Sequence, residues 1–400
     1  MTVQAPAFRR GIMTAVVLGA LFGLWAWVTP AAAQQAVKVG VVIEITGGGA
    51  PVGNMWKNGV QMAVDEINQA GGILGRRVDT LVLDTQTDPP TSVAVMKRAV
   101  AEKPLVVMGP IYSSSTKANM IIAQEAGIPQ ITGSEAAELS RQGNPYFFRT
   151  SFGQDVGMAK LVKWLLDDLK LDRIALVYVN NAFGKGGRDV VTQYLKERGK
   201  GLAADISTEV QQADFTAELT RARNSGANAL LLYLHEEESA RAIRQVRKLG
   251  LPLEVVGETT LCTQTTINAA GDEINGVKCH VGLSPDAPVA PIQAMARKFD
   301  ERFRGKPDHN GIKGYVGMYM VKAAVERLGG LADGKRLADC LRSQFYPVRQ
   351  TPGVLMDLYV DEKGDVDRES FLVEVKNKKQ EIVKVLPMLK GPYQARACAK

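Results

Sequence analysis

Histidine is scarce in this sequence, and its cysteines form no motif. The histidines are His235, His280 and His309, too scattered over 400 residues to suggest a metal constellation. Cys262, Cys279, Cys340 and Cys398 contain no C-x-x-C pair, so zinc and thiol-redox motifs are absent. There is no G-x-S-x-G, and His235-Glu236 opens no H-E-x-x-H, which removes the usual signatures of hydrolysis. Low-complexity tracts and heptad arrays are missing. Beyond residue 28 no apolar run approaches the length of a membrane span. The formal net charge is +7, but the basic residues are dispersed apart from Lys376-Asn377-Lys378-Lys379. No element interleaves them with aromatics, so nucleic acid is not an expected partner.

What is present begins with an export signal. Arg9-Arg10 lead into an apolar run from Gly11 to Val28, and Ala31-Ala32-Ala33 supplies the small residues of a cleavage site. The rival, an uncleaved anchor, is set aside because the alanine site follows so directly. Cleavage after Ala33 removes residues 1–33 and two arginines, leaving a periplasmic chain of net charge +5. That chain is long enough for two ordinary domains. In an oxidising compartment four cysteines allow three pairings. The expected one is Cys262–Cys279, closing a local loop, with Cys340–Cys398 tying down the tail.

The remaining chain alternates strand and helix. Val37–Ile43 is almost wholly apolar, as a strand buried on both faces should be. A helix over 53–68 places Val60, Ala63, Val64 and Ile67 on one face. Strands follow at 78–84, 105–108 and 127–131, separated by helices. A second series starts with a helix over 152–168 and a strand over 174–179. Helix 186–198, strand 202–210, helix 215–225, strand 229–234, helix 236–249 and strand 253–256 complete it. Such repetition predicts an α/β fold with parallel sheets in two lobes. Farther on come helices 291–304, 313–328 and 333–343. Strands around 353–360 and 370–376 follow, joined by a plain hairpin at Asp361–Asp365, whose acids miss the spacing of a calcium loop.

The stretch with chemistry in it is Gly109-Pro110-Ile111-Tyr112-Ser113-Ser114-Ser115-Thr116. Gly109-Pro110 ends a buried strand, and the serines sit where a helix begins. A helix start leaves N–H groups unpaired and carries partial positive charge, so added hydroxyls make a receptor for a small anion such as a carboxylate. The plainer role for Ser113 is a helix cap.

Several stretches, taken together, resemble the leucine/isoleucine/valine-binding proteins that serve bacterial ABC importers. They are Lys38–Ile43, Ala63–Gly75 (AVDEINQAGGILG), Gly109–Thr116 (GPIYSSST), Phe148-Arg149-Thr150, Asn181–Gly184 (NAFG), Ala242–Leu251 (AIRQVRKLGL) and Asp361–Asp365 (DEKGD). The resemblance implies a type I periplasmic binding fold, two Rossmann-like lobes joined by three hinge crossovers. Lobe one would be 37–152 plus 285–352, lobe two 153–284 plus 353–390, and 391–400 a tail. It also implies a monomer that delivers its ligand to a permease and ATPase, with no cofactor.

Carried across residue by residue, the resemblance puts the ligand carboxylate on Ser113, with Ser114 and Ser115 beside it. Ser134 is a further donor, since the second family hydroxyl falls near Ala136. Wall aromatics of the family fall at Val52, Phe183 and His235, and Tyr112 could flank a ring. The acid that holds a ligand ammonium falls at Thr259, with Glu258 adjacent. These departures leave two ligand classes open, a branched-chain amino acid and an aromatic or aliphatic acid.

Gly47-x-Gly49-x-x-x-Gly53 with Asp84 imitates a dinucleotide fingerprint, but the spacing is off by one and Pro51 intrudes. A ligand sensor would use the same fold, and the chain carries no fused signalling domain. An importer component is the expected role.

Overall fold

The computed structural model describes residues 1–4, 35–389, 391 and 393–398; the expected signal run and cleavage site lie outside them. The architecture is built in the unit Val37–Lys400. The first series is β1 (Val37–Ile43), α1 (Ala50–Gln69), β2 (Val78–Asp84), α2 (Pro89–Ala101) and β3 (Val106–Met108). It continues with α3 (Ser113–Ala126), β4 (Gln130–Thr132), α4 (Ala137–Ser140) and β5 (Phe147–Arg149). Its strands form one parallel sheet in the order β2-β1-β3-β4-β5. The boundaries follow local chemistry. Asp88 caps α2, its carboxylate accepting from the Thr91 N–H at 2.9 Å, with Pro89 in the first turn. Gly127 ends α3 in the left-handed region.

The second series is α5 (Gln154–Asp167), β6 (Ile174–Val179), α6 (Ala182–Glu197), β7 (Ala204–Thr208) and α7 (Thr216–Asn224). Then come β8 (Ala229–Tyr233), α8 (Glu236–Lys248), β9 (Glu254–Gly257), α9 (Gln264–Ala270) and β10 (Lys278–Val281). The chain returns through α10 (Ala290–Phe303), α11 (His309–Leu328), α12 (Gly334–Leu341) and a small antiparallel sheet of β11 (Gln344–Tyr346), β12 (Leu358–Val360) and β13 (Val366–Asp367). It ends in β14 (Ser370–Lys376) and β15 (Lys379–Leu386). The second sheet runs β15-β14-β10-β9-β8-β6-β7, with β14 and β15 antiparallel to their neighbours.

Three expectations are corrected. The Asp361–Asp365 turn joins β12 to β13, because the Asp361 carboxylate accepts from the N–H groups of Lys363 and Asp365 and folds the chain back at once. β14 instead pairs with β10 and β15. α11 starts at His309 rather than residue 313, since Asp308 caps it, and α6 starts at Ala182, capped by Asn181. The disulfides join Cys262 to Cys279 and Cys340 to Cys398, as expected.

The chain passes from the first sheet to the second series after β5, leaves the second sheet after β10, and returns to it after β13 of the small sheet. Arg368, buried on the third crossover, donates to the Thr150 carbonyl of the first (2.8 Å) and the Gly282 carbonyl of the second (3.2 Å). One guanidinium thus binds all three connections.

In the first lobe α1 packs against α11 closely enough that side chains are excluded at the crossing. A Cβ at Gly59 would overlap the Gly311 carbonyl oxygen. Gly59→Ala should therefore destabilise the protein by about 1–3 kcal/mol in urea unfolding. A value indistinguishable from wild type would mean the helices sit farther apart than described.

Candidate functional site

In open α/β sheets ligands bind beyond the carboxyl ends of strands, where the strand order reverses. The first sheet reverses between β1 and β3, which end at Glu44 and at the serine turn. The second reverses between β6 and β8, which end at Asn181 and His235. These ends face one another across the cleft.

On the first side, Glu44 is fully buried, and its carboxylate accepts from the N–H groups of Ile111 (3.1 Å) and Tyr112 (3.0 Å). The turn before α3 is thereby fixed from beneath. Ser113 Oγ accepts from the Ala136 N–H at 3.2 Å, which leaves the hydroxyl proton to be donated elsewhere. Gly53 has a structural reason, independent of any dinucleotide: a Cβ there would collide with the Glu44 carbonyl where α1 rides over the end of β1.

On the second side, Asn181 caps α6 by accepting from the Gly184 N–H (3.1 Å), and its amide nitrogen donates to His235 Nε2 at 2.9 Å. Burial pushes the His235 imidazole down to about 4, so it is neutral at pH 7. Its ring stacks on Tyr112 from the other side, centroids 4.3 Å apart and planes within 6°. Phe183 continues the stack, 5.1 Å from His235 and 4.1 Å from Tyr233. Gln154, just past the first crossover, donates to the Tyr233 hydroxyl (2.8 Å) and the Phe183 carbonyl (2.6 Å) while accepting from the Ala137 N–H (3.0 Å).

The Tyr112–His235 pair borders two cavities. An inner one of ≈20 Å³ is lined by Ser113, Glu135, Phe183, Glu236, Asn310 and Lys313, among others. An outer one of ≈160 Å³ is lined by Ser114, Ser115, Asn181, Gln211, Glu238 and Arg241, among others. The inner volume suits about one water, so a ligand the size of leucine needs the two rings to part. Both cavities draw residues from both sheets.

A family model described as periplasmic binding protein matches residues 36–380. The chain belongs to the periplasmic binding protein family. It is similar to a Leu/Ile/Val-binding protein of Rhizobium johnstonii, 26% identical over 345 residues, 85% of this chain and 91% of that one. The Leu/Ile/Val-binding protein of Escherichia coli is 28% identical over 349 residues, 85% and 90% of the two chains. A Rhodopseudomonas palustris solute-binding protein in complex with benzoate superposes with a TM-score of 0.81 at 21% identity, covering 90% of this chain and 99% of that one. The Streptococcus pneumoniae branched-chain amino acid binding protein in complex with isoleucine gives 0.78 at 23% identity, covering 88% and 100%. The fold is the type I periplasmic binding fold.

Within this binding protein the residues singled out from sequence separate into two groups. Tyr112, Ser113, Ser114, Ser115, Phe183 and His235 line the two cavities. Ser134, Val52, Ala136, Glu258 and Thr259 do not line them. Ser134 Oγ donates to the Ile111 carbonyl at 2.8 Å and pairs with Thr116, so its hydroxyl is committed to the scaffold. Val52 is buried in the first turn of α1, and Ala136 contributes its N–H to Ser113. Glu258 accepts from its neighbour's N–H at Thr259 and from His280 Nδ1 (3.0 Å), and Thr260 rather than Thr259 reaches the inner cavity. Sequence reasoning missed Glu135, Glu236, His309, Asn310 and Lys313.

The periplasmic binding protein's cleft is rich in buried charge. Lys313 Nζ lies 3.7 Å from Glu135 and donates to the Gly133 carbonyl at 3.1 Å, with burial lowering its basicity. Burial, reinforced by Asp308 nearby, pushes the Glu236 carboxyl up to about 8, against an ordinary 4.5. Between those values the folded chain keeps a proton that the unfolded chain has released, so Glu236 costs stability increasingly as pH rises through that interval. The stability of Glu236→Gln relative to wild type should therefore grow from pH 5 to pH 8 in urea unfolding. A difference independent of pH would place Glu236 in water.

Proposed function

We propose that this protein is the periplasmic solute-capturing component of an ABC importer and works as a monomer without a cofactor. Residues 1–33 direct export. A small ligand bearing a carboxylate docks on lobe one (37–152 plus 285–352). Lobe two (153–284 plus 353–390) then closes over it, and the loaded form is presented to the permease and its ATPase.

The observation that carries this reading is Ser113. Its hydroxyl, at the start of α3, is oriented by the Ala136 N–H and lines the same cavity as Phe183 and His235 of the opposite sheet. A carboxylate there receives a charge-assisted hydrogen bond and the positive end of the helix, while the rings cover its apolar body. Those contacts exist together only when the lobes meet, so binding favours closure. The relatives solved with isoleucine and with benzoate match the two ligand classes, apolar amino acids and aromatic or aliphatic acids.

A thermal-shift screen of amino acids, benzoates, cinnamates and short aliphatic acids tests the reading. The true ligand raises Tm in proportion to the logarithm of its concentration above Kd. For that ligand Ser113→Ala should lower affinity about 10- to 100-fold in calorimetry, the loss of one charge-assisted hydrogen bond. Unchanged affinity would remove Ser113 from the site.

A further inference from the structure

The start of α11 forms a second polar pole of the inner cavity, and capture of a carboxylate at Ser113 makes no use of it. Asp308 caps that helix, accepting from the N–H groups of Asn310 (2.8 Å) and Gly311 (3.1 Å) and from the Thr265 hydroxyl (3.0 Å). The cap sets His309 and Asn310 in the first turn, where both line the cavity that Ser113 also lines. Asn310 is fully buried, yet neither its amide nitrogen nor its amide oxygen has a hydrogen-bond partner among the described residues. The same holds for His309 Nδ1 and for the hydroxyl of Thr260, which reaches the cavity from the opposite sheet.

Buried polar atoms in native proteins are nearly all paired, because an unmade bond leaves the desolvation penalty standing. Four unpaired atoms around one cavity therefore ask for a polar group on the ligand itself. We propose that Asn310 reads a hydroxyl group on the ligand, so that the site selects a hydroxylated carboxylic acid over the same acid lacking the hydroxyl. The proposal rests on the carboxylate reading above and narrows it.

The chemistry of the amide makes the choice. Asn310 presents a donor and an acceptor together, and a hydroxyl answers both. An ammonium only donates, which leaves the amide nitrogen unpaired; a methyl group leaves both atoms unpaired. Either His309 Nδ1 or the Thr260 hydroxyl can take the hydroxyl's one remaining bond. A site built to pair with a hydroxyl rejects the analogue without it far more strongly than an apolar pocket rejects a missing methylene.

The test is a set of matched pairs titrated calorimetrically into the full mature protein: 4-hydroxybenzoate against benzoate, 4-hydroxyphenylacetate against phenylacetate, and 2-hydroxy-4-methylpentanoate against 4-methylpentanoate. Leucine is included as the amine counterpart of the last pair. In at least one pair the hydroxy acid should bind about 10- to 100-fold more tightly. Asn310→Ala and Asn310→Leu should bring that ratio close to one. Equal binding within every pair that binds, or a ratio unmoved by both variants, overturns the role of Asn310 while leaving the carboxylate reading intact. So does leucine binding more tightly than its hydroxy analogue. Failure of every carboxylate in the wider screen to raise Tm sinks both. The comparison within pairs uses the unaltered protein, so it stands even if a variant fails to fold.

Discussion

The serine turn before α3 depends on a single buried carboxylate. Glu44 ends β1, lies out of reach of water, and accepts the N–H groups of Ile111 and Tyr112. Two bonds to one rigid group leave the turn little freedom, and each nearby feature inherits that order. Ser113 is the next residue, so the aim of its hydroxyl follows. Tyr112 is held where its ring meets His235 across the cleft. Burial works against the charge of Glu44 and the two N–H donors work for it. The carboxylate therefore depends on the turn as much as the turn depends on it, a reciprocity expected of fully satisfied buried networks.

The crossovers are gathered by Arg368, whose donors reach carbonyls on the first and second connections from its place on the third. Arg149, at the end of β5, does similar work one step inward. Its guanidinium donates to the Ala136 carbonyl (3.0 Å) and the Ser140 hydroxyl (2.9 Å) and pairs with Asp365. The loop that orients Ser113 through Ala136 is thus anchored to the segment leading into the third crossover. The crossovers and the serine turn are tied together by two buried guanidinium groups, Arg368 and Arg149.

How much of this was legible in the sequence varies by residue. The alternation of β-branched runs with amphipathic helices gave the sheets, and Gly109-Pro110 before a run of hydroxyls marked the start of α3. Both disulfides could be anticipated from loop logic. Glu44 could not, because a lone acid after a strand carries no local sign that it will reach a turn 67 residues ahead. Asn310 was hidden by a late helix start: Asp308-His309-Asn310-Gly311 reads as a turn unless Asp308 is recognised as a cap. Ser134 and Thr259 show a different limit. Their immediate neighbours Glu135 and Thr260 line the inner cavity while they do not, because the direction of a side chain is decided by tertiary packing. β15 escaped notice because it lies at the sheet's edge with one face largely exposed and lysines along it, a pattern that resembles loop more than strand.

The central claim is that a carboxylate is gripped at the start of α3 while the opposite sheet closes over it. A crystal structure of the protein with the acid that stabilises it most tests this directly. The account predicts the carboxylate within hydrogen-bond distance of Ser113 Oγ, with the ligand body against Phe183 and the Tyr112 and His235 rings drawn apart to admit it. A carboxylate seated away from Ser113, or a ligand bound outside the space between the two sheets, would contradict it.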